Sequence, residues 1–147
     1  MPVYVKDLDD GLGNVIIGTG IITDEEYDTA LTKHLSQPSE KFKKYIYSIV
    51  DFTTTTHLNV HMSYFIKNAK RCIEVSRINP NVLVALVTHN NLYFIIGRTW
   101  GLLASGTGWN IQIFRTRKEL DTWLLMKLKD QHDMTHFRLD YDKEDGE

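Results

Sequence analysis

At 147 residues, 42% hydrophobic and 24% charged, the chain has the size and mixture of one globular domain that can bury a core without disulfides or metals. Its net charge of −2 argues against a nucleic-acid partner, which would require an excess of Lys and Arg in one patch, and the densest such group is only Lys41, Lys43 and Lys44. Cys72 is the single cysteine, which excludes an intrachain disulfide and points to a reducing, cytoplasmic setting.

The start, Met1-Pro2-Val3-Tyr4-Val5, has neither a basic stretch nor a long apolar run, so no secretory leader is expected. Residues 3–6 and 14–19 are extended and apolar, and the Asp- and Gly-rich run between them supplies turn geometry for an N-terminal β-hairpin. Thr23 with Glu26 forms a capping-box signature, followed by Tyr27, Ala30, Leu31, His34 and Leu35 at helical spacing. Residues 45–50 read as an interior strand ending at Asp51, and Thr53-Thr54-Thr55-Thr56 reads as a hydroxyl-rich loop. The next helix starts near residues 59–62. Met62, Phe65, Ile66, Ala69, Cys72 and Ile73 form its apolar stripe, opposite Lys67, Lys70, Arg71, Glu74 and Arg77.

Pro80 precedes residues 81–89, a charge-free run rich in Val and Leu that reads as a strand buried on both faces, and hence as part of a parallel sheet. Asn90 and Asn91 are capping residues for a helix running to about Ser105, stopped by Gly106-Thr107-Gly108. Residues 111–114 make a third interior strand, and Thr116 with Glu119 starts a last helix over residues 117–129. From residue 43 the order strand, helix, strand, helix, strand, helix predicts an α/β layer fold. In open sheets ligands gather at the carboxyl ends of strands, here the loops at 51–61, 88–91 and 115–116.

Asp51-Phe52 with residues 53–60, Arg77-Ile78-Asn79-Pro80-Asn81, Tyr93 with Trp100, and Thr107-Gly108-Trp109 before Phe114-Arg115 resemble the SpoIIAA-like group of STAS-type proteins over about residues 43–125. The resemblance implies a SpoIIAA-like sheet of four to five mostly parallel strands flanked by helices, often in a dimer. Its relatives are phospho-switched regulators of protein partners, or proteins likened to Sec14-type lipid carriers. One departure stands out. Where anti-sigma-factor antagonists carry an Asp-Ser-Ser stretch, this chain has Asn59-Val60-His61-Met62, with no serine before Ser63, so no phosphoacceptor is carried over. One SpoIIAA-like domain is expected over residues 1–132, with residues 1–40 its hairpin and first helix, and an acidic, mobile tail over 133–147.

His57 and His61 stand four apart, as metal ligands on a helix would, but Leu58 follows the first and no third ligand is evident. Loop packing or capping is the simpler role. His132 and His136 share the spacing with less support. Cys72 lies on an apolar stripe, where burial suppresses nucleophilicity. Ser63 or a threonine activated by His57 or His61 would make a hydrolase dyad, yet there is no Gly-x-Ser-x-Gly elbow, dinucleotide fingerprint or P-loop. No metal or cofactor is expected.

Residues 92–103 carry eight apolar or aromatic residues in twelve, more than one helix face can turn to a sheet. The stretch also holds Arg98 and is about half the length of a membrane span, so none is expected. The excess is covered either by the N-terminal hairpin and first helix or by a second subunit, with Gly97 and Gly101 allowing close backbone approach.

The expected function is a non-enzymatic regulatory or scaffold module, a homodimer acting through protein contacts at Asp51, Thr54, His57, His61, Ser63, Tyr93, Arg98 and Trp100. The alternatives are a carrier of a small lipophilic or anionic ligand, with Arg98 or His61 at its polar end, and a hydrolase or metal enzyme using His57, His61 and Asp51.

Overall fold

The computed structural model describes residues 2–133 and Tyr141. One five-stranded sheet runs in the order β1 (Val3–Leu8), β2 (Gly13–Thr23), β3 (Tyr47–Asn59), β4 (Leu83–Val87) and β5 (Asn110–Phe114). β1 pairs antiparallel with β2, and the remaining pairings are parallel. Around it lie α1 (Asp24–Leu35), α2 (Ser39–Phe42), α3 (Met62–Val75), α4 (Asn91–Leu103) and α5 (Arg117–His132). The protein is therefore α/β with an N-terminal hairpin.

Local chemistry sets the element ends. Thr23 and Glu26 complete the capping box of α1, Asn90 Oδ1 accepts from the Tyr93 amide at 3.1 Å, and Thr116 Oγ1 accepts from the Glu119 amide at 3.2 Å. The hairpin turns through Asp9, Asp10 and Gly11, all left-handed with φ of 52°, 57° and 87°. Asp tolerates that region better than most residues, and the Tyr47 hydroxyl ties the turn down by donating to Asp9 Oδ2 at 2.5 Å.

The strand order never reverses. Right-handed crossovers that always step in the same direction leave α1, α3 and α4 on one face, and only α5, after the last strand, reaches the other. The core divides accordingly. Ile16, Val84, Tyr27, Phe65, Ala69 and Trp100 meet on the three-helix face, whereas Val15, Ile17, Tyr47, Ile49, Ala85 and Val87 meet Leu120, Leu124 and Leu128 of α5 on the other.

Two expectations need correction. Residues 53–56 are not a loop: β3 continues through them to Asn59, paired with β2 as far as Thr23. Register shifts between Ile17 and Thr19 and between Gly20 and Ile21 each leave one extra residue in β3, and the Gly18 carbonyl accepts from Thr54 Oγ1 at 3.2 Å and Thr55 Oγ1 at 3.0 Å. Threonine is β-branched, so with a long partner strand alongside it pairs as readily as it turns.

The buried stripe of α3 is Phe65, Asn68, Ala69 and Cys72, rotated away from Met62 and Ile66, which are exposed. That rotation brings Asn68 Nδ2 to the Tyr27 hydroxyl at 3.5 Å and Arg71 to Asp28 at 3.2 Å, both on α1.

Most of the segment expected to be a mobile acidic tail lies outside the described residues, but Tyr141 is 4% exposed and packs among the α5-face core residues. Its hydroxyl donates to Asp51 Oδ2 at 2.5 Å, and the Arg117 guanidinium stacks 4.3 Å from its ring centroid. Tyr141→Phe removes a donor from a buried carboxylate and is expected to lower unfolding stability by about 1–3 kcal/mol in urea titrations. A variant indistinguishable from the native chain would mean that this contact does not hold the segment.

Candidate functional site

Between the sheet and the three helices lies a cavity of about 100 Å³. Ile16, Val50, Phe52, Val84, Leu86 and Ile113 form its floor. Tyr27, Leu31 and His34 of α1, Phe65, Asn68 and Cys72 of α3, and Tyr93, Ile96, Gly97 and Trp100 of α4 form its roof. Leu58, from the β3 extension, also lines it. Among the described residues no Lys, Arg, Asp or Glu does so, and the lining is mainly apolar.

Each roof helix is placed by identifiable contacts. The Tyr93 hydroxyl accepts from the Leu58 amide at 2.7 Å, which fastens α4 to the β3 extension. Gly97 brings α4 close to the sheet, since a Cβ there would lie 3.4 Å from Ile113 Cδ1 and 3.6 Å from Leu86 Cδ2. Gly101 similarly faces Ile111. These glycines fit the helix to the sheet. α1 is pinned at its start, where Asp24 Oδ1 accepts from the His61 amide at 2.6 Å and Asp24 Oδ2 pairs with His61 Nδ1. The hydrogen bond from His61 holds the Asp24 carboxyl below its ordinary value.

The polar groups around the cavity are largely paired with one another. Ser48 donates to Asn14 Oδ1 at 2.7 Å, Asn68 reaches Tyr27, and the Gln37 amide donates to His34 Nδ1 at 3.0 Å. Trp109, also on the lining, donates its indole N–H to the Asn79 carbonyl at 2.8 Å. Trp100 differs. It is 8% exposed, and its indole N–H is buried without an acceptor among the described residues. A buried donor in that condition costs about 1–3 kcal/mol.

The residues singled out from sequence separate here. Tyr93 and Trp100 both line the cavity. Asp51 does not. It points to the opposite face, fully buried, with Oδ1 accepting from the Thr53 amide at 2.8 Å and the Thr53 hydroxyl at 2.6 Å. Thr54, His57, His61 and Ser63 are exposed along the end of β3 and the start of α3, and Arg98 is exposed on the outer side of α4. His57 lies in a strand and His61 precedes a helix, so their spacing is not that of helical metal ligands. Among the described residues no group of three His, Cys, Asp or Glu is placed to hold a metal. Burial pushes the Cys72 thiol up to about 12, which keeps it out of nucleophilic chemistry at neutral pH.

The N-terminal hairpin and α1 do not cover the surplus apolar face of α4. α1 packs on α3, β1 and β2, while Leu92, Ile95 and Leu102 are 61%, 60% and 76% exposed. Among the described residues no helix is long and apolar enough to cross a membrane.

His34 and Asn68 belong to the cavity and were not singled out as site residues. The available signal was a polar residue inside each apolar stripe: His34 between Leu31 and Leu35, Asn68 between Phe65 and Cys72. No protein-family model, no curated protein and no solved structure matches the chain.

Burial lowers the His34 pKa from 6.5 to about 4, with Asp7 opposing the shift and Lys41 adding to it. A folded-state value below the unfolded one means that the native state resists a proton the unfolded chain accepts. The stability present above pH 6.5 is therefore eroded as pH falls towards about 4. His34→Leu is expected to remove about 2–3 kcal/mol of the acid-induced loss, read as urea-derived stability at neutral and at acid pH. Parallel pH profiles for the two proteins would show that His34 is not buried as a neutral ring.

Proposed function

We propose that the chain is a non-enzymatic module that holds a small apolar molecule between its sheet and α1, α3 and α4. The observation that carries this reading is the cavity. An apolar void of about 150 Å³ in another protein stays dry and accepts a benzene-sized molecule, and the volume here, about 100 Å³, is of that order. Between the two ligand classes considered, the lining favours the lipophilic one, because a buried anion without a counter-charge is strongly disfavoured. Arg98 and His61, the proposed partners of a charged end, stand outside it. The resemblance to the SpoIIAA-like group fits this reading, since that group includes proteins likened to lipid carriers.

Benzene is the probe. At a concentration one hundredfold above its Kd, it should stabilise the native protein by about 2.7 kcal/mol in thermal melts, and Cys72→Met, which fills the cavity from α3, should cut the affinity at least tenfold. No stabilisation by benzene, with no small molecule retained in native mass spectra, would remove the reading.

The exposed face of α4 favours a second role alongside the first. Leu92, Ile95, Thr99 and Leu102 recur at intervals of three, four and three residues, the spacing of a helix-pairing seam, and a second copy of the chain offers the matching surface. The module then acts as a homodimer, with the exposed residues from Thr54 to Ser63 free for other protein contacts. Light scattering should show a dimer for the native chain and a monomer for the double variant Ile95→Lys with Leu102→Glu, with unchanged benzene binding. A monomeric native chain at micromolar concentration would exclude the pairing.

A further inference from the structure

We propose that the last turn of α1 is an acid-operated gate on the cavity: when His34 takes up a proton, the turn leaves the cavity wall and the apolar molecule is released. The inference rests on the ligand-holding reading above and adds its regulation.

Three observations carry it. The first is where α1 is fastened. Its body is tied to α3, since Arg71 donates to Asp28 Oδ1 at 3.2 Å and to Thr32 Oγ1 at 2.7 Å. Past Thr32 the helix end is held instead by the contact between Gln37 and His34, and both His34 and Leu35 line the cavity.

The second is the tautomer of His34. Gln37 Nε2 lies 2.9 Å from the His34 carbonyl oxygen, and a carbonyl only accepts, so this nitrogen is the amide donor. The same nitrogen lies 3.0 Å from His34 Nδ1, which is therefore the unprotonated nitrogen of a neutral ring. A proton added at Nδ1 sets donor against donor and breaks the bond that holds the turn.

The third is that the wall has no place for the charge. His34 is 7% exposed, and the rings of Phe42 and Tyr45 stand with centroids 6.0 Å and 5.9 Å from its own. The charged groups that face it are Asp7 of β1 and Lys41 of α2. They pair with each other at 3.0 Å, and Asp7 also accepts from the Tyr45 hydroxyl at 2.8 Å, so Asp7 is already engaged. Tyr45, Tyr27 and Cys72, the other titratable groups on that part of the lining, are pushed up by burial and stay neutral in acid. Turned outward, a charged ring meets water and the carbonyl end of α1, which favours a cation. Burial lowers the His34 pKa to about 4, and this sets where the gate opens. Because the filled cavity requires the neutral ring, ligand and proton exclude each other: affinity is full above that value and declines below it.

Calorimetry with benzene between about pH 7 and pH 3.5 reads the gate. The native affinity should hold to about pH 5, then weaken about twofold by pH 4 and about fourfold by pH 3.5, as competition with a single proton requires. His34→Leu, whatever its neutral affinity, should show no such decline. In ¹H–¹⁵N spectra of the native chain, the His34 ring and the amides of Lys33 to Gln37 should titrate with the same midpoint, while the amides of Leu120 and Leu124 on the far face stay put. The spectra need no variant, so the proposal is testable even where His34→Leu folds poorly. A pH-independent native affinity, the same decline in His34→Leu, or unfolding of the chain before affinity falls would overturn the gate alone. Absence of benzene binding at neutral pH would instead overturn the ligand-holding reading, and the gate with it.

Discussion

From Ile17 to Thr23, β2 is matched by a longer run of β3, and two extra residues in β3 absorb the difference. Bulges of this kind bend a strand and increase its twist. β3 consequently delivers Leu58 to the cavity lining and its backbone amide to the Tyr93 hydroxyl. Without that pairing, α4 would lose its tie at the amino end, and Asp24 would no longer meet the His61 amide between the starts of α1 and α3. The position of the roof therefore depends on how two segments about thirty residues apart come into register.

The unidirectional strand order explains why the cavity lies under the helices and not at the strand tips. A crevice at the carboxyl ends of strands arises where neighbouring crossovers leave to opposite sides of the sheet. No such point exists among β2, β3, β4 and β5, since each connection steps the same way. Three helices then have to cover one continuous face, and close packing of all three is harder than packing α5 alone. The two faces differ as this predicts. Leu120, Leu124 and Leu128 of α5 are fully buried, whereas the three-helix face retains a void edged by Asn14, Asn68 and Trp100.

What was legible in the sequence was local. Thr23 with Glu26, Asn90 and Thr116 mark helix starts through bonds spanning three residues, and the Val- and Leu-rich core of β4 declares burial on both faces by lacking charge. Thr53 to Thr56 were illegible, because a threonine run suits a turn or a strand and only the distant β2 decides. Asp51 misled for a related reason. A carboxylate at the end of an apolar strand suggests a ligand-binding tip, but its partners are Thr53 two residues on and Tyr141 ninety residues on. A cavity has no sequence signature of its own, since it is the volume left when several elements fail to interlock. Its traces are His34 and Asn68, polar residues within apolar stripes.

α4 shows why a helix so apolar need not be a packing error. Its inner side is committed residue by residue: Tyr93 to the β3 extension, Gly97 to close approach over Ile113, Trp100 to the cavity. None of these can turn outward without detaching the roof. Leu92, Ile95 and Leu102 are held on the opposite side by the same geometry, because helix periodicity fixes their direction once the inner residues are placed. Exposed apolar area of this kind lowers solubility unless something covers it. Because inner and outer residues share one rigid helix, covering the outer stripe leaves Tyr93, Gly97 and Trp100 committed as they are.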